Sequence, residues 1–344
     1  MIMNKNPYLK FTKLLLMTAA LALSLPGVGC NKSDKLAQRS TFTPLNGPTE
    51  LKWKWPKGEL ILQTMKMKEN SELSIPGRPN PTTQEITMEQ EFGLTVLKEA
   101  PDGGHELEME FLSARLEAPV GSKTLANYDS TIKSPADNGN PVADMFRNII
   151  GSKVQFFLDA SNEVERIEGM ERLSARLASS GQGNQLDGIR NLYSEGYLKE
   201  MMSRNRSLPR KPVQPGDMWP VHVEFLMGTL GTMIVDEHFT FQCWETHGSR
   251  NCARLEFEGT IANKPDTNSI PTRMSVSITS GKSSGVSWFD PELGMIIDTT
   301  VNHDMKLDIA VPVDPGGNPA ATARMVNITS QMNQITNIKL KSVK

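Results

Sequence analysis

The sequence predicts a mainly β fold of the α+β type: two antiparallel, curved β-sheet regions, either duplicated or joined as one continuous half-barrel, around a central helical insert. Three observations predict it. Apolar residues recur with period two on both sides of the chain's middle. Helical spacing is confined to residues 170–205. Glycine and proline turns fall at strand-length intervals between the alternating stretches.

The chain divides accordingly into a signal peptide (1–29), a lipidated tether (30–50), an N-terminal β region (51–168), a helical insert (169–208) and a C-terminal β region (209–344). At the start, Lys5, Lys10 and Lys13 precede an apolar run from Leu14 to Leu25, with no acid before Asp34. Twelve residues suit a signal-peptide core and fall short of the roughly 20 that a spanning helix needs. Pro26 ends the run, and Gly27-Val28-Gly29 leads into Cys30. Two cleavage readings stand. Gly27-Val28-Gly29 satisfies the small-x-small rule of ordinary signal peptidase, and the same residues resemble a bacterial lipobox, with Gly27 where leucine is usual. Cysteine arithmetic favours the lipobox. Of three cysteines, Cys243 and Cys252 sit close together in a hairpin, which leaves Cys30 as the lipidation site. The expected location is the periplasmic face or the outer membrane of a bacterial envelope, with the lipid on Cys30 as the membrane partner. Residues 31–48 read as a polar tether.

In the N-terminal β region, Leu51, Trp53 and Trp55 alternate with lysines and read as an edge strand kept wet on one face. Strands are expected over 61–68, 85–98, 106–117, 153–159 and 163–167. Asp102-Gly103-Gly104 supplies a hairpin turn, and 119–141 reads as a polar insert with a short amphipathic piece, 142–150, after it. Residues 170–178 and 185–205 carry helical spacing, and Pro209, Pro212 and Pro215 end it. Beyond them, strands are expected over 221–227, 232–245, 251–261, 273–280, 285–289, 295–301 and 323–340, with 290–294 as a tight turn. The stretch from Phe92 to Phe111 parallels that from Phe239 to Phe257, as diverged copies would; any two antiparallel meanders share some of this likeness.

Pro215-Gly216-Asp217-Met218-Trp219, the Gly248…Cys252-Ala253-Arg254-Leu255 hairpin and the Gly285…Phe289-Asp290…Gly294-Met295-Ile296 hairpin carry a resemblance. On these motifs the chain resembles an uncharacterised family of bacterial exported lipoproteins, known only as a domain of unknown function. More loosely, a curved sheet crossed by helices is similar to the LolA/LolB lipoprotein-carrier architecture, which implies a carrier-like fold without fixing a function.

Formal charge is −2, and removal of residues 1–29 with three lysines and no acids makes it −5, so no positive field exists to hold nucleic acid. A turn centred on His247-Gly248 would set Cys243 opposite Cys252 and Glu245 opposite Arg250, a disulfide geometry in an oxidising compartment. Gly281-Lys282-Ser283-Ser284-Gly285 matches Gly-x-Ser-x-Gly by letters, but a strand follows where a nucleophile elbow needs a helix, so it reads as an inter-strand loop. Val276 occupies the glycine position of a phosphate loop. The histidines show no metal-ligand spacing; Asp236 and His238 share a strand face but lack a third ligand. No catalytic, cofactor or metal residue is therefore assigned.

Methionine is abundant, at 19 residues of which 16 follow the leader. It suits core filling and equally an adaptable apolar cavity. The expected function is non-enzymatic: an envelope lipoprotein holding an acyl chain or extended peptide on a concave sheet face, with Trp53, Trp55, Met65 and Met67 as candidate contacts. A scaffold that pairs with another envelope protein through sheet edges is the alternative. A hydrolase would need a buried Ser/His/Asp or carboxylate cluster assembled from distant residues.

Overall fold

The computed structural model describes residues 34–44, 47–120, 123–179, 193–203, 207–226, 231–264, 275–313 and 324–344. Cys30 and the leader lie outside them.

Both predicted β regions belong to one twelve-stranded antiparallel sheet. The first half is built from β1 (Leu60–Ser74), β2 (Thr82–Glu99), β3 (His105–Val120), β4 (Lys123–Asp129), β5 (Lys153–Leu158) and β6 (Val164–Glu168). The second half is a meander of β7 (Met218–Leu226), β8 (Thr232–His247), β9 (Arg250–Lys264), β10 (Ser275–Asp290), β11 (Met295–Val313) and β12 (Arg324–Val343). The order across the sheet is β6-β5-β3-β2-β1-β12-β11-β10-β9-β8-β7, with β4 paired to β3 off this path. The halves are joined by β1 and β12, which pair from Ile61↔Val343 to Ser74↔Thr329.

Among the described residues, three α-helices accompany the sheet: α1 (Pro141–Ile149), α2 (Met170–Ser179) and α3 (Glu195–Met202). Asn140 caps α1 by accepting from the amides of Val142 and Ala143, and Ser194 caps α3 by accepting from the Tyr197 amide. Helix α3 touches both β6 and β7, the two edge strands of the main path. Laid flat, eleven strands at about 4.8 Å spacing would set those edges about 48 Å apart. A helix of eight residues is about 12 Å long. The sheet must therefore curl until its edges approach α3, and its inner face becomes the core.

Strand periodicity decides what faces in. On β1, Met65, Met67, Glu69, Ser71 and Leu73 are buried while Lys66, Lys68, Asn70 and Glu72 are exposed. In the first half the inner face is closed by packing: Met67, Met88, Phe92 and Met109 have no accessible surface. Tyr128 stacks on Phe146 of α1, and Tyr193 meets Phe111 edge-on. Phe92 faces Phe111 and Phe239 faces Phe257 across their strands, which accounts for the matching intervals in the two halves.

Four expectations are corrected. Leu51, Trp53 and Trp55 do alternate inward with exposed lysines, but no ladder forms there and the segment is not an edge strand. It crosses one end of the sheet, where the Lys54 amide donates to Gly294 O at 3.0 Å and its Nζ to Pro291 O at 2.7 Å. The predicted tether is pinned over 34–44: Ser40 N donates to Ser249 O, Asn251 Nδ2 to Phe42 O, and Ser40 and Thr41 hydroxyls to Glu292. The segment around Ser283 is mid-strand in β10 rather than a loop. Its glycines are required because a Cβ at Gly281 would strike the backbone carbonyl of Ile261 on β9, and one at Gly285 would strike the Phe257 ring of β9 and the Thr300 carbonyl of β11. Lastly, Cys243 and Cys252 are free thiols. The turn lies at Gly248-Ser249, one residue later than expected, so His247 faces Arg250, Cys252 faces Glu245 and Cys243 faces Arg254. The two sulfurs thus sit on diagonal positions, too far apart for the bond.

Candidate functional site

Inter-strand register aligns one unusual row across the inner face. Ile86 of β2 faces Glu69, Glu69 faces Gln334, Gln334 faces His303, His303 faces Ser283, Ser283 faces Gly259, and Gly259 faces Glu237. Val221 of β7 follows Glu237. Six consecutive strands therefore contribute a polar residue or glycine at the same height. The neighbouring rows are largely apolar: Ile261, Met305 and Met332 on one side, Phe257, Val301 and Met67 on the other.

The polar belt is internally bonded in two places. Ser283 Oγ donates to Glu237 Oε1 at 2.5 Å, and Gln334 Nε2 to Glu69 Oε2 at 3.4 Å. Burial holds the Glu69 carboxyl up at about 8, against the opposing effect of the Gln334 bond. Glu237 is raised by burial for the same reason, with Ser283 opposing. Burial lowers His303, partly offset by its bond to Gln334. At neutral pH the belt thus presents a protonated Glu69 acid and a neutral His303 imidazole. Thr336, one inward step along β12 from Gln334, is 1% exposed, and its hydroxyl has no hydrogen-bond partner.

Access differs along the belt. Glu69 and Gln334 are sealed, whereas His303 and Glu237 keep partial exposure, as do Val223, Val235, Val301 and Ile338 on the same face. The inner face of the second half is open in the sense that these side chains keep accessible surface.

The sequence candidates fall elsewhere on that face. Met65 and Met67 are fully buried on β1. Trp53 and Trp55 stack with centroids 5.6 Å apart at the closed end, where Trp55 Nε1 donates to Asn162 Oδ1 at 2.8 Å. Trp55 also lines a rim cavity of about 310 Å³ with Lys35, Lys54, Glu99, His105 and Glu292, too charged to suit an apolar ligand. Asp236 is engaged by His222 Nδ1 at 2.6 Å on the outer surface, away from the belt. The belt was missed because its members are separated by at least 20 residues and only register aligns them. A signal was present in Glu69, a carboxylate at an inward parity position two residues after Met67.

A family model described as a family of unknown function (DUF6263) matches residues 102–296, more than half of the chain. The chain belongs to DUF6263. The DUF6263 match contains Ser283 and Glu237, while Glu69, His303 and Gln334 lie outside it. No curated protein matches the chain. Among solved structures, lipovitellin, described in terms of its lipid–protein interactions, is similar at 9% identity and a TM-score of 0.44 over 85% of this chain. This chain spans only 26% of lipovitellin's length. A TodX monoaromatic hydrocarbon channel mutant gives 8% identity and a TM-score of 0.20, over 83% of this chain and 91% of its own. A domain described as an outer membrane lipoprotein-sorting protein, from Vibrio parahaemolyticus, gives 11% identity and a TM-score of 0.13, over 83% and 85% respectively. Likenesses at this level carry no functional conclusion for the DUF6263 chain.

Proposed function

We propose that this protein is a non-enzymatic lipoprotein of the bacterial cell envelope that binds an apolar ligand against the inner face of β7–β12. The observation that carries the reading is the inner surface of that half, where Val223, Val235, Val301 and Ile338 keep partial exposure. Such a concave, mainly apolar surface with a few convergent polar groups is the usual form of a small-ligand site. Lipidation at Cys30 and export remain part of the proposal. Among the described residues, no helix is long and apolar enough to cross a membrane.

The belt does place serine, histidine and carboxylates on one face, which invites a hydrolytic reading. The bonding argues against it. The Ser283 hydroxyl has one proton and gives it to Glu237, not to His303. Ser283 also sits mid-strand, with its neighbours' amides engaged in the ladder rather than aimed at an oxyanion.

The test is native mass spectrometry of the exported chain carrying Cys30→Ser, which separates bound ligand from covalent lipid. An excess mass that extracts into organic solvent supports the reading. A bare mass that persists after lipids are offered contradicts it.

A further inference from the structure

The end of the sheet that the N-terminal segment crosses lies close to where the chain would carry its lipid. We propose that this end is a docking face for the phospholipid bilayer that holds the Cys30 lipid, so that the domain stands on the membrane instead of swinging on a tether. This rests on the lipoprotein reading above and goes beyond it.

The first observation is reach. The chain is fastened from Asp34 onward: the Lys35 amide donates to Val343 O at 3.0 Å, and the Val343 amide donates to Asp34 Oδ1 at 3.1 Å. Lys35 Nζ reaches Glu59 Oε1 at 3.0 Å, and Ser249 Oγ donates to Leu36 O and Gln38 O. Residues 31–33 alone separate Asp34 from Cys30. That link spans at most about 14 Å even when fully extended. The acyl chains of a lipidated Cys30 lie in the hydrocarbon and hold its sulfur at the membrane surface. Asp34 therefore stands no more than about 14 Å from that surface.

The second observation is place. Val343 pairs with Ile61, where β12 meets β1 in the middle of the strand order. The anchor thus leaves the centre of one end rather than a side of the sheet. From there β1 runs from Leu60 to Ser74, a length of about 45 Å, so the β1–β2 turn belongs to the opposite end.

The third observation is charge. Leu51, Trp53 and Trp55 are buried against the end of the sheet, so Lys52 and Lys54 between them face the other way and are exposed. Lys35, Arg39 and Lys57 are exposed on the same segment. Residues 34–59 carry five cations and three acids, whereas residues 60–344 carry eight more acids than cations. Glu59 is paired with Lys35, and Glu292 beside the segment is paired with Arg250. At the adjoining β2–β3 turn, Lys98 accompanies Glu99 and Asp102. Anionic head groups attract the positive segment and repel the acidic remainder, so charge and reach favour the same face.

The experiment is energy transfer from a fluorophore on the lipidated full chain, purified from a bacterial envelope, to acceptor-labelled lipid in vesicles of phosphatidylethanolamine and phosphatidylglycerol. The fluorophore sits on Pro101→Cys, in the β2–β3 turn at the docking end, or on Asn80→Cys, in the β1–β2 turn at the other. Cys243→Ser keeps it off the partly exposed native thiol, and Cys252 is buried. Mass spectrometry of the N-terminal peptide first reads the lipid on Cys30. Transfer from position 101 is expected to exceed that from position 80 at least about threefold, given the strand length between them. Inserting about twenty glycine and serine residues after Ser33, a span of about 25 Å, alters no described residue and is expected to reduce that ratio at least about twofold. Equal transfer from both positions with the lipid present would overturn the docking face and leave the lipoprotein reading intact. A ratio that the insertion leaves unchanged would overturn the short link as what holds the pose. An unmodified Cys30 would overturn both readings.

Discussion

The two halves of the sheet use the same strand grammar and end with opposite inner faces. Around β1–β3 the face is shut, with Met67, Met88, Phe92 and Met109 at zero exposure. Around β7–β12 it keeps accessible surface at Val223, Val235, Val301 and His303. The difference lies in the connections. Between β4 and β5 and again after β6 the chain spends its length on α1, α2 and α3, and these helices bring Phe146, Leu173, Leu177 and Leu198 into the core. In the second half the described connections are tight turns, Gly248-Ser249 and 290–294, which contribute no covering element. Among the described residues, the side chains that helices add to the core gather over the first half, with α3 reaching β7 at the seam.

The sharpest way to break this comparison is to delete matched side chains. Phe111→Ala in the shut half is expected to cost about 3–5 kcal/mol in urea unfolding, because a cavity opens beneath Tyr193. Val301→Ala in the open half is expected to cost less than about 1 kcal/mol, since its surface is already partly exposed. Equal costs would mean that the halves are packed alike.

Arg250 tests the end of the sheet where the N-terminal segment is pinned. Its guanidinium is 4% exposed and bonded to the fully buried Asp290, and its Nη2 reaches Glu292 at 2.8 Å. Arg250→Ala should cost about 3–5 kcal/mol by leaving Asp290 buried and unpaired. Proteolysis should then cut within 34–44 faster than in the parent chain.

Glu69 gives a pH signature. Its folded pKa, about 8, lies above the 4.5 of an ordinary glutamate, so the folded state binds the extra proton between those values. Stability should fall as pH rises through that window, and Glu69→Gln should flatten the profile while the chain stays folded. A parent profile that rises from about pH 5 to about pH 8 would contradict the assignment.

Smaller effects complete the set. Trp55→Phe loses the bond to Asn162 and should cost about 1 kcal/mol, with the stack on Trp53 retained. Reductant should leave the melting temperature unchanged, because Cys243 and Cys252 are free. The Cys252 thiol should also resist alkylation in the folded chain, since it is fully buried and burial pushes it up to about 12.

Much of the architecture was legible in period-two alternation and in glycine turns, because those signals are local. Asp102-Gly103-Gly104 and 290–294 lie where the sequence places them, with Gly103 and Gly294 at positive φ. The pairing of β1 with β12 was not legible, since it joins residues more than 250 apart and leaves no local trace. Cys243 and Cys252 show how a one-residue displacement of a turn moves every cross-strand partner. Gly281 and Gly285 read as loop punctuation, yet they serve a strand that atoms of the neighbouring strands approach closely. The belt combines both difficulties. Each member is an ordinary strand residue, and only the registers of five ladders make them one row.

The most direct test of the central claim, that ligand occupies the second half, is quenching of tryptophan fluorescence by an amphiphile with a brominated acyl chain. One variant keeps only Trp219, partly exposed on the inner face of β7 and stacked on Phe239; the other keeps only the Trp53–Trp55 stack. Strong quenching of Trp219 with the Trp53–Trp55 pair unaffected is the predicted result. Quenching of the pair with Trp219 unaffected would place the ligand at the closed end and contradict the account.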